Sequence, residues 1–134
     1  MSEEELEDLK DEDEEEEFFS IQLTREQYRP GENVEGNVQW KFPEPADTIR
    51  VRLLLETTAN WNSEKFYAAG LEWEQMPSSG ICNFSLKLPE GPYSFIGQKI
   101  RIDWSVEVEC WSYTEEAEFS FSPTGEPLEL KGSK

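Results

Sequence analysis

Residues 28–40 read YRPGENVEGNVQW, and this stretch carries the first decision about the fold. Pro30-Gly31 suits the two central positions of a type II turn, whose second corner needs φ > 0 and so favours glycine. The chain then enters a run in which Val34, Gly36, Val38, Trp40 and Phe42 share one parity. Period-two spacing of apolar residues marks a strand buried on one face. Gly36 falls on the buried parity, where a β-branched residue would pack better. A glycine there implies a bulge, or a bulky group lying over the strand. Tyr28 or a core tryptophan is the expected filler.

The same period continues along the chain. Phe19, Ile21 and Leu23 alternate with polar residues, as do Ile49, Val51, Leu53 and Leu55, then Leu71 and Trp73, then Cys82, Phe84, Leu86 and Leu88. The longest series is Ile100, Ile102, Trp104, Val106, Val108 and Cys110; Ala117, Phe119, Phe121, Leu128 and Leu130 follow. Turn residues separate these runs at 29–31, 42–45, 77–80, 89–92 and 123–125. About eight short strands, each with one polar face, predict an all-β, immunoglobulin-like antiparallel sandwich of two sheets.

Two stretches also carry a family pattern. YRPGENVEGNVQW resembles the early motif of arrestin-like domains: an aromatic residue, then Pro-Gly-Glu, then a strand of apolar-x-Gly-x-apolar form. FSLKLPEGPYSFIGQKIRIDWSVEVECW is similar to the family's later signature, with Leu88-Pro89, Pro92, Tyr93-Ser94-Phe95, Gly97 and a central aromatic at Trp104. IRVRLLLET looks like the strand between them. The resemblance covers residues 18–122 and implies one arrestin-like sandwich acting as a non-catalytic protein-binding or adaptor module. Arrestins carry two such sandwiches in tandem, and this chain has room for one. Properties that need a groove between two domains therefore do not transfer. Phosphate sensing needs clustered Lys and Arg, and the basic residues here are scattered.

Charge divides the 134 residues unevenly. Residues 1–17 hold 12 acidic side chains and one lysine out of a total net charge of −18. That segment is expected to be a disordered acidic tail, leaving residues 18–131 as the single domain. A strongly acidic chain repels phosphate backbones and anionic headgroups, so nucleic acid and anionic membrane are not expected as direct partners. A neutral or basic protein is. With two cysteines, no signal-peptide layout and no apolar run long enough to span a bilayer, the expectation is a cytoplasmic protein.

No reaction is specified. The chain has no histidine, which removes Ser-His and Cys-His pairs and His-metal sites. Cys82 and Cys110 fall on buried parity and read as core thiols. Asp103, Glu107 and Glu109 lie on one strand's outer face and read as a solvated row. Neither catalytic residues, metal ligands nor a cofactor are expected. The remaining signal is aromatic. In TTANWNSEKFYAAGLEWEQ, residues 57–75, Trp61, Phe66 and Tyr67 stand in a polar edge or loop context, and Trp111 and Tyr113 do so beyond the long strand. Trp and Tyr dominate interface hot spots, so these five are the candidate partner-binding residues. The alternative is a carbohydrate-binding sandwich in which Trp61, Tyr67 and Trp111 stack on sugars.

Overall fold

A computed structural model describes residues 16–129. Most of the expected acidic tail, and the last residues of the expected domain, lie outside that range. The strands are β1 (Phe18–Leu23), β2 (Gln27–Tyr28), β3 (Asn33–Lys41), β4 (Asp47–Ala59), β5 (Asn62–Met76), β6 (Ser79–Lys87), β7 (Phe95–Ile96), β8 (Ile100–Cys110), β9 (Tyr113–Phe121) and β10 (Leu128–Glu129). They form the all-β sandwich. One sheet has the order β1-β3-β6, and the other runs β10-β7-β8-β4-β5 with β9 also on β8. The long pairings are antiparallel; only the two-residue strands β2 and β10 pair in parallel, with β9 and β7.

The alternation becomes a two-sided core. Val34, Val38 and Trp40 of β3 and Phe84 and Leu86 of β6 meet Ile49, Val51 and Leu53 of β4 and Trp104, Val106 and Val108 of β8, all buried. Phe119 and Phe121 of β9 close one side, with the Tyr28 ring edge-on to Phe119 at 5.3 Å.

The opening stretch does what its residues dictate. Gly31 has φ 88°, and the Glu32 N–H donates to the Arg29 carbonyl at 3.1 Å, which is the type II turn. Gly36 is crowded, but not by the groups expected. A Cβ there would overlap the Gln22 carbonyl oxygen of β1 and reach 3.0 Å from Phe84 Cζ. Phe84 is the cross-strand neighbour of Gly36, and Leu23 pairs with it from the other side. The missing side chain thus makes room for β1 backbone and a β6 ring; Tyr28 and the tryptophans pack elsewhere.

The Pro92–Phe95 step, on the way from β6 to β7, is tied to β8 and β9 of the larger sheet. The Trp104 indole N–H donates to the Pro92 carbonyl at 2.8 Å. Ser94 donates its N–H to the Phe121 carbonyl at 2.7 Å and accepts the Phe121 N–H on Oγ at 2.9 Å. Both cysteines are free; Cys110 is buried and Cys82 is half-buried. Burial, then Asp47, raises the Cys110 thiol pKa.

Candidate functional site

The chain at 57–75 is a long hairpin. β4 and β5 pair from Ala59/Asn62 down to Asp47/Met76. Asn60 and Trp61 form its turn with φ 52° and 76°. Two consecutive positive φ values define a type I′ turn, which suits the strand twist but normally takes Asn-Gly. A tryptophan at the second position forgoes that preference, and non-glycine residues held at positive φ carry strain. Trp61 is 100% exposed, so burial does not offset the strain. Beside it runs an open groove of about 380 Å³ lined by Thr58, Asn60, Lys99, Ile100 and Arg101. That lining holds two cations and no carboxylate.

Phe66 and Tyr67 follow on β5 but point to opposite faces. Phe66 pairs with Leu55 on the core side, and Tyr67 pairs with Leu54 on the outer side. β5 is the edge strand, so Phe66 stays half-exposed. Tyr67 is tied down. Its hydroxyl donates to Glu107 Oε1 at 3.0 Å, and the Arg52 guanidinium stacks on its ring at 4.5 Å. Burial, then the Glu107 hydrogen bond, raises the Tyr67 pKa. Arg52 also pairs with Glu109, and its Nε lies 3.8 Å from Glu107. Glu107 is only 8% exposed. The row of carboxylates read as solvated is therefore partly a built network, with Tyr67 as its lid. Period two placed these residues on one face but could not show that Arg52 and Glu107 are neighbours; strand register does.

Trp111 and Tyr113 sit at the β8–β9 turn, at the far end of β4. Twelve residue steps at about 3.3 Å put them roughly 40 Å from the hairpin tip. Both lean on Phe42, with ring centroids at 4.9 and 5.3 Å, and remain half-exposed. The five aromatic residues do not form one patch. Trp61 stands alone at the tip, Phe66 and Tyr67 divide between the faces of β5, and Trp111 and Tyr113 cap the Phe42 end. Trp61, Tyr67 and Trp111 likewise stand apart, at the hairpin turn, on the outer face of β5 and at the β8–β9 turn. Among the described residues, no three His, Cys, Asp or Glu side chains lie together to hold a metal ion. No helix among them is long and apolar enough to cross a membrane.

These features define a two-sheet β-sandwich with a long edge hairpin and an exposed aromatic at its turn. No protein-family model matches the chain, and none of the curated proteins does. Among solved structures it is similar to Spo0M, a sporulation control protein from Bacillus subtilis, at 19% identity and a TM-score of 0.52, over 79% of this chain and 49% of that one. The chain spans about half the length of that protein. The likeness concerns the fold, and it agrees with an arrestin-like sandwich.

Proposed function

We propose that the chain is a non-catalytic, cytoplasmic protein-binding module of the adaptor type, whose contact surface is the β4–β5 hairpin. The observation that carries this reading is Trp61: fully exposed, and seated at a turn position that glycine fills with less strain. Strain of this kind points to function when local stability gains nothing from it. A partner that buries the indole recovers the hydrophobic term the free domain forgoes, about 1.5–3 kcal/mol for a large apolar side chain. The partner is a protein, neutral or basic overall, because a net charge of −18 repels acidic surfaces, nucleic acid and anionic membrane alike. The chemistry of the chain supports a non-enzymatic role, since it has no histidine and its acidic row is occupied by arginine. No cofactor is required.

The test is affinity capture from the native lysate by the immobilised chain, side by side with Trp61→Ala. Loss of about 2 kcal/mol, roughly thirtyfold in affinity, is expected for the captured partner, with the thermal midpoint unchanged. An identical captured set at identical salt resistance would overturn the reading.

A further inference from the structure

Among the described residues, the outer edge of β5 has no neighbour in the sheet, and its sequence is complementary to itself. β5 is irregular at two places, and at the one near its middle the register on β4 shifts between Leu53/Ala69 and Leu54/Tyr67, leaving Ala68 as an extra residue. Bulges often blunt an edge, but this one has a second consequence. It reverses the side-chain parity of β5 across Ala68. On the core side lie Phe66, Leu71 and Trp73; on the outer side lie Lys65, Tyr67, Gly70 and Glu72.

Consider two β5 strands paired antiparallel about a twofold axis between Ala68 of one copy and Ala69 of the other. Lys65 then faces Glu72, Phe66 faces Leu71 and Tyr67 faces Gly70. Each pair occurs twice, and the two members of each share a face. Opposite charges, an aromatic-aliphatic contact and an aromatic beside glycine are favourable cross-strand pairs. Moving the axis by one residue along the strand, one way or the other, breaks the match. One shift sets Ala69 against Gly70 from opposite faces; the other puts Lys65 opposite Gly70 and leaves Glu72 opposite Ser63. A one-residue slip of a single strand sends side chains to the wrong face. The bulge thus restricts the registers that keep faces matched, and the Lys65–Glu72 pair singles out one of them. Phe66, Tyr67, Ala68 and Gly70 are exposed in the single chain, so all are open to a partner.

We infer that β5 is a homodimer interface, in which two copies join their larger sheets edge to edge in this Lys65–Glu72 register. Isologous pairing of this kind is closed and does not propagate. The pairing leaves Trp61 free, so it stands apart from the role assigned to the hairpin tip. It also sets two Trp61 tips at opposite ends of the joined strands, roughly 40 Å apart by strand rise, an arrangement that favours a partner with two sites.

The experiment is sedimentation equilibrium of the full chain across concentration and salt, with circular dichroism melts to establish that each variant folds. The wild type is expected to dimerise, more tightly as salt rises, because screening relieves the repulsion between two chains of −18. Lys65→Glu should weaken the dimer about tenfold, since two attractive pairs become repulsive. Lys65→Glu with Glu72→Lys should restore it in part, since Glu72→Lys also gives up the Arg50–Glu72 pair within each copy, and Lys65→Glu with Glu74→Lys, of equal net charge, should not. A chain that stays monomeric at the highest concentration and salt overturns the inference, as does rescue by Glu74→Lys in place of Glu72→Lys. A dimer that survives Phe66→Glu unchanged places the interface elsewhere and overturns it too. Each of these outcomes leaves Trp61-dependent capture to be judged on its own result.

Discussion

Gly36→Ala is the most direct test of how the two ends of the opening stretch are held. The added Cβ would overlap the Gln22 carbonyl oxygen and stand 3.0 Å from Phe84 Cζ. The Phe84 contact is with a ring that tilts by a few tenths of an ångström at little cost. The Gln22 contact is with backbone, and backbone moves only if β1 moves. β1 is fixed at this point by the Leu23/Gly36 pairing and by the Thr24 N–H donating to the Glu35 carbonyl at 2.9 Å. Displacing it forfeits about one hydrogen bond, near 1 kcal/mol, on top of overpacking of about 1–3 kcal/mol. The expected loss is about 2–4 kcal/mol for Ala and more for Val, whose extra methyls press on Phe84. With a urea m-value of about 2 kcal/mol/M for a domain of this size, the midpoint should fall by roughly 1 M or more. Gly31→Ala is the companion measurement. Nothing lies within 4 Å of a Cβ there, but φ is 88°, so it should cost about 1 kcal/mol through backbone conformation alone. An unchanged midpoint for Gly36→Ala would mean that β1 does not cross β3 as described, and the pairing of the smaller sheet would have to be redrawn.

Trp61→Gly should leave the domain at least as stable as the wild type, since it relieves an unfavourable turn residue worth about 1 kcal/mol while removing no buried surface; a lower melting temperature would show that the indole packs on the domain. Tyr67→Ala should lose about 2–3 kcal/mol in denaturant titration, because it removes a hydrogen bond to a charged group and a cation–π contact at once, whereas Tyr67→Phe should lose only the hydrogen-bond part. Glu32 has its pKa lowered, first by the Arg29 N–H and then by Arg25. A lowered folded pKa means that its contribution is present above the unfolded value, about 4.3, and is lost as pH falls through the folded one. Glu32→Gln should therefore flatten the loss of stability below about pH 4.3 in acid melts, and an identical acid limb would show the turn is not held by this carboxylate.

The legible parts of this fold were those where period two runs unbroken. β8 reads as a strand from Ile100 to Cys110 because six apolar residues share one parity, and Gly36 reads as a crowded site because it occupies the buried parity of β3. β5 was only half legible, and its bulge is the reason. Phe66, Ala69, Leu71 and Trp73 face the core at spacings of three, two and two, so the alternation seen in Leu71 and Trp73 loses phase exactly once on the way to Phe66. A single inserted Ala68 was enough to leave residues 62–68 reading as either edge strand or loop. The short strands β2 and β7 carry no periodicity at all, being two residues long, and exist only because their partners hold them.

The candidate site divides along the same line. That Trp61 is exposed follows from its polar surroundings. Its place at the second corner of a type I′ turn does not, because Asn60-Trp61 lacks the glycine that normally announces such a turn. For Tyr67 the sequence suggests an anchor equal to Trp61, but register gives it other work. It lies across from Leu54, which is buried although it points to the outer face, and it closes over Arg52 and Glu107. Half of its surface is therefore committed within the domain before any partner arrives. This separates two kinds of exposed aromatic on one hairpin. Replacing Tyr67 unsettles a network that the domain uses to bury a carboxylate, so a change in binding would follow from a change in stability. Replacing Trp61 removes nothing the domain relies on, so a change in binding there can be assigned to the indole itself.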